Sequence, residues 1–114
     1  MNPIRTLKNK IKNNDYTLED LENGLSYKNE FLLYLIMFEI AKKKLISDKI
    51  IESLKDLVNG HEEISDRGVG NFTMRVVACA TLKKLGYENE YNIMENEKKK
   101  WVDAILSDKV WKDI

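Results

Sequence analysis

At 114 residues, with 43% hydrophobic and 33% charged side chains, the chain has the length and apolar content of one globular domain, residues 1–114. Those values, with a single Pro and five Gly, exclude a disordered tail and a collagenous or linker-like segment. Nineteen basic side chains balance nineteen acidic ones, so the basic excess of a general nucleic-acid or membrane-surface binder is missing.

Apolar residues recur at helical spacing and the β-branched residues seldom alternate with polar ones, which predicts an all-α domain of five to six helices. Ile4, Leu7 and Ile11 form the stripe of a first helix, with Pro3 placed near its start and Asn13-Asn14-Asp15 ending it. Thr17 reads as the N-cap of a second, short helix with Glu19 and Asp20 in its first turn, stopped by a left-handed Gly24. Ser26 is the expected cap of a third helix, about Tyr27 to Lys44. Its middle is apolar on every face, which predicts the central buried helix. Ser47 or Asp48 caps a fourth, with Ile50, Ile51, Leu54, Leu57 and Val58 on one face and Asn59-Gly60 at its end.

A polar stretch follows, His61 to Asn71, the longest irregular segment. From Phe72 to Leu85 the helical pattern resumes and Gly86 closes it. A last helical region carries Tyr91, Ile93, Met94, Trp101, Ala104, Ile105 and Leu106, and Ser107-Asp108 recaps a final turn with Val110 and Trp111.

The N-terminus lacks an apolar run of the signal-peptide kind, and the Phe31–Phe38 stretch is far shorter than the roughly 20 residues needed to cross a bilayer. Cys79, alone among Val76, Val77, Ala78 and Ala80, reads as a buried small hydrophobe in a reducing compartment, so the expected location is the cytoplasm, with no membrane partner. Lys, Asn and Ile make up a third of the chain, and their AT-rich codons suggest a bacterial source.

Shifting the chain by 41 residues lays Phe31 on Phe72, Leu35 on Val76, Ile36 on Val77 and Lys42-Lys43 on Lys83-Lys84. A period near 40 with two helical stretches per copy is that of HEAT and armadillo repeats. Met74-Arg75-Val76-Val77-Ala78-Cys79-Ala80-Thr81-Leu82-Lys83-Lys84-Leu85-Gly86 resembles the HEAT pattern of Val-Arg, an Ala three residues on, then Ala-Leu and Leu-Gly, with Met74 for Val and Thr81 for Ala. The resemblance spans residues 31–106 and implies HEAT-like antiparallel helix pairs. In that pattern Arg75 would turn inward and pair with an acid, Asp66 or Glu39. Small HEAT-like chains of this kind look like the immunity proteins of bacterial polymorphic-toxin and contact-dependent growth inhibition systems. That resemblance implies a non-enzymatic protein that binds a cognate toxin domain one-to-one and blocks it, with no cofactor.

The residues themselves point away from an enzyme. His61 is the sole histidine and Cys79 sits mid-helix, away from a setting that activates a thiolate. No Cys/His pair has zinc spacing, and Gly68-Val69-Gly70 lacks the strand and lysine of a phosphate loop. His61, Glu62, Glu63, Asp66 and Arg67 form a solvated acidic loop, a partner-binding loop, or a cation or acid/base cluster; partner binding also draws in Glu88 and Glu90. If the toxin is a nuclease, these acids would mimic phosphates. The rival function is a HEAT-like nucleic-acid-binding or scaffold protein using Lys8–Lys12, Lys42–Lys44 and Lys98–Lys100 beside Trp101. Only three Arg and the adjacent Glu95 and Glu97 argue against nucleic acid as partner.

Overall fold

In the computed structural model, residues 3–27, 29–59 and 74–114 are described, and among them every regular element is a helix. There are eight: α1 Pro3–Lys12, α2 Leu18–Gly24, α3 Glu30–Lys43, α4 Asp48–Asn59, α5 Met74–Lys84, α6 Asn89–Ile93, α7 Asn96–Ser107 and α8 Lys109–Lys112. The count exceeds the expected five to six because the C-terminal region divides. Met94 and Glu95 are both extended, separating α6 from α7, and Asp108 restarts the chain as α8 by accepting the Val110 amide at 2.9 Å. No Gly or Pro marks the break at Met94.

Local chemistry sets most helix ends. Thr17 and Asp20 form a reciprocal capping box, each side chain taking the other's backbone amide at 3.1 and 2.9 Å. The Thr17 amide holds the Asp20 carboxyl below its usual range, and the nearby Lys10 ammonium, 3.6 Å away, adds to this. Ser47 caps α4 through the Ile50 amide at 3.1 Å. Asn29, rather than Ser26, caps α3, accepting the Leu32 amide at 2.9 Å. The Ser26 hydroxyl is already spent on the Asn23 carbonyl at the end of α2.

Three helices end alike, on a left-handed residue that lets the following amide reach back five residues: Asp15 to Lys10, Leu45 to Ile40 and Tyr87 to Leu82. The left-handed residues are Asn14, Lys44 and Gly86. Gly86 was legible as a stop; Lys44 was not, since a Cβ makes that conformation unfavourable by roughly 1–2 kcal/mol. Gly24 does not act as a left-handed stop. It is the buried last residue of α2, followed by a right-handed Leu25, and a Cβ there would overlap Ile36 Cδ1 and Leu7 Cδ2. Its requirement is close approach of α2 to α1 and α3.

The helices share one apolar core, and its centre is α5 rather than α3. Met74 and the unbroken run Val76–Leu82 are buried, and α5 packs against α3, α4, α6 and α7. Small side chains at Ala78, Cys79, Ala80 and Thr81 permit that crowding, and the Thr81 hydroxyl is satisfied by the Val77 carbonyl at 2.8 Å. The consecutive helices α3 and α4 both lie on α5 rather than chiefly on each other. α3 also packs against α1 and α2. The Cα radius of gyration is 13.1 Å, close to the ~13 Å expected of a globule of about 100 residues. Among the described residues no helix is long and apolar enough to cross a membrane.

Candidate interaction surface

Of the residues singled out from sequence, His61, Glu62, Glu63, Asp66 and Arg67 lie outside the described residues. Glu88 is exposed at the start of α6. Glu90 is half-buried, and its Oε1 is enclosed without a hydrogen-bond partner. The two acids are therefore not equivalent, and Glu88 is the one that stands in solvent.

Arg75 does not turn inward. It is exposed in the first turn of α5, and its Nε donates to the Val58 carbonyl at 2.8 Å. Val58 lies in the last turn of α4, where carbonyls lack helical partners, so the guanidinium serves as a C-terminal cap joining α4 to α5. Of its two expected acids, Asp66 lies outside the described residues and Glu39 is engaged elsewhere. Glu39 is only 9% exposed and is held by Tyr16, whose hydroxyl donates to it, and by Lys43 at 3.0 Å. Burial works to raise the Glu39 carboxyl, but the Tyr16 hydrogen bond and the Lys43 ammonium outweigh it and hold it below the usual range. Burial and the bond to Glu39 push the Tyr16 phenol up. Lys43 also lies 4.8 Å from the Tyr16 ring centroid and donates to Asn14. This cluster ties the end of α1 to α3.

The lysine run before Trp101 divides around α7: Lys98, three residues before Trp101, shares its side of the helix, while Lys99 and Lys100 turn away by successive 100° steps. Lys99 turns to Tyr91, 5.5 Å from its ring centroid, where Lys83 also sits at 3.7 Å and Asp103 accepts the phenol at 2.8 Å. That hydrogen bond to Asp103, with burial, raises the Tyr91 phenol. Trp101 is 41% exposed. Trp111 is the core tryptophan: 2% exposed, with Nε1 donating to the Tyr34 hydroxyl at 2.9 Å. Its ring lies edge-on to Tyr34 and Phe38, at centroid distances of 6.2 and 5.4 Å.

Cys79 is buried, and that burial pushes its thiol up to about 11, so it stays protonated and unreactive near neutral pH. Among the described residues no three His, Cys, Asp or Glu side chains gather as a metal site. A depression of about 290 Å³ between α1 and α2 is lined by Asp20, which is engaged with Lys10 and Thr17, and by Asn23, which accepts from Lys49 at 3.4 Å.

What the sequence reading missed is a surface on α3. Its inner face, Leu32, Leu33, Ile36, Met37, Ile40 and Ala41, is fully buried. Phe31, Tyr34, Leu35 and Phe38 repeat at i, i+3, i+4 and i+7 and form a second apolar stripe on the opposite side. Trp111 covers the Tyr34–Phe38 part. Phe31 and Leu35 are left 65% and 38% exposed. The signal was present, as apolarity on every face, but periodicity does not say which face another helix will cover.

The fold thus defines a small all-α globule with a rigid helix presenting surplus apolar surface. Comparison with models of known protein families, with characterised proteins and with solved structures gives no match.

Proposed function

We propose that this chain is a protein-binding module, an immunity protein that neutralises a cognate bacterial toxin domain in the cytoplasm by one-to-one association. The observation that carries the reading is the outer stripe of α3. Phe31 and Leu35 are exposed together, one turn apart, on a helix whose other face is locked in the core. Grouped apolar side chains of this kind on a rigid element mark interaction surfaces more often than isolated ones do. The resemblance of Met74–Gly86 to the HEAT pattern adds the class of scaffold, with α5 and α7 as one packed helix pair. Exposed Glu88, Glu95 and Glu97, with the His61–Asp66 segment, offer a second, acidic contact that would speed association with a basic toxin surface.

The alternative, a HEAT-like nucleic-acid-binding protein, draws support from the exposed Trp101, but the exposed Glu95 and Glu97 beside the lysine run, and the turn of Lys99 to Tyr91, weigh against it.

A protection assay tests the reading. The C-terminal domain encoded immediately upstream in the native gene order is expressed in a naive host, with and without this chain. Growth arrest relieved by this chain, with co-purification of the pair, is the expected result. Toxicity that this chain does not relieve, or no toxicity, counts against it.

A further inference from the structure

The α3 stripe has an electrostatic frame. Lys8 of α1 stands 5.7 Å from the Phe31 ring centroid, a cation at the edge of the exposed apolar surface. Lys12, four residues on, shares that side of α1 and is exposed. Lys42 follows Phe38 by four residues and Leu35 by seven, so it closes the stripe at the C-terminal end of α3, also exposed. The stripe from Phe31 to Lys42 is about 16 Å long at 1.5 Å per residue.

The helices that carry the stripe and its lysines hold few acids, while Asp108 and Asp113 flank Trp111 at the far end of the stripe. The ten residues of α1 include no acid. The acids of α3 are Glu30, at its first position, and Glu39, which is turned in to Tyr16 and Lys43. A chain of zero net charge has thus set an apolar ridge among lysines on its α1–α3 side.

We propose that this face docks an acidic amphipathic helix of a partner protein. Phe31 and Leu35 receive the partner's apolar side chains, and Lys8, Lys12 and Lys42 receive its carboxylates. A linear ridge suits a helix lying along it, because side chains repeating at i, i+4 and i+7 interdigitate with such a row. The inference rests on the reading of the chain as a protein-binding module, and it locates the contact and the chemistry of the partner.

The test uses the full chain and a fluorescent helical peptide with Leu and Phe at i, i+4 and i+7 and Glu elsewhere, alongside the same peptide with Lys for Glu. The acidic peptide is expected to bind, and the basic one to bind at least about tenfold more weakly. Phe31→Ala should weaken the acidic peptide about tenfold or more, as loss of an aromatic anchor does. The Lys8→Glu/Lys42→Glu double variant should weaken it and flatten its salt dependence. Circular dichroism of each variant separates lost contact from lost fold.

Equal binding of both peptides, no binding of the acidic one, or indifference to Phe31→Ala overturns the proposal. So does Phe31-dependent sedimentation with phosphatidylserine vesicles without peptide binding, which assigns the face to a lipid surface. Self-association in sedimentation equilibrium that Phe31→Ala abolishes assigns it to a second copy. The protection assay is independent: a protected host with no peptide binding removes this docking face alone, and peptide binding without protection removes the toxin reading alone.

Discussion

α3 and α5 stand 41 residues apart in a common register, and both are apolar along most of their length, yet they occupy different environments. α5 is enclosed by α3, α4, α6 and α7, and its small middle residues let those neighbours close in. α3 carries larger side chains on both faces but has helices to cover only part of them. A helix apolar all round is thus not automatically the centre of a fold. Small residues, which permit several close neighbours, marked the centre better than total hydrophobicity did.

The largest test of this contrast is at Trp111, which covers part of the outer α3 stripe. Trp111→Ala removes a nearly fully buried ring and its hydrogen bond to Tyr34, and should cost about 3–5 kcal/mol in urea unfolding. It should also leave Tyr34 and Phe38 exposed, read as increased binding of a hydrophobic dye. A cost near that of a surface substitution would mean that α8 is not part of the core.

Tyr16 and Glu39 pin α3 to the end of α1. Tyr16→Phe removes a hydrogen bond to a carboxylate and should cost about 2 kcal/mol at neutral pH. The Glu39 carboxyl is held below 4.5, so its contribution is present above that pH and is lost as pH falls through the folded value. The Tyr16 phenol is raised above 10.0, so its contribution holds below pH 10.0 and is lost as pH rises through the folded value. Glu39→Gln should therefore flatten the acid limb of the stability profile below pH 4.5. A profile identical to the parent's would detach Glu39 from the tie.

Arg75 gives a smaller effect. As an exposed cap on the Val58 carbonyl it should cost about 1 kcal/mol on mutation to Ala, the scale of one hydrogen bond. A loss of 3 kcal/mol or more, of the order expected for breaking a buried ion pair, would restore the inward-turned arginine suggested by the HEAT pattern.

How much of this could be read from the chain follows from what each feature depends on. The Thr17–Asp20 box, the Ser47 cap and the Gly86 stop are local hydrogen-bond or backbone requirements, and residue types declare them. The Asn29 cap was hidden because Ser26 is an equally good capping residue, and only the path of the chain out of α2 assigns its hydroxyl to Asn23. The α6–α7 break has no Gly or Pro to announce it, and Lys44 adopts its left-handed turn against its own preference. The site was harder still. Charge drew attention to Glu88 and Glu90, one of which proves half-buried. The exposed stripe of α3 depends on which helices fall short of covering it, a tertiary outcome that no local pattern encodes.

The central claim is that Phe31 and Leu35, the uncovered part of the outer stripe of α3, are surplus to folding, and the most direct measurement is urea unfolding of the Phe31→Ala/Leu35→Ala double variant. The account predicts a loss of no more than about 1 kcal/mol, the sum of two surface substitutions. A loss of several kcal/mol, on the scale of truncating buried Leu or Phe, would place the stripe in the core and remove the basis for a binding surface.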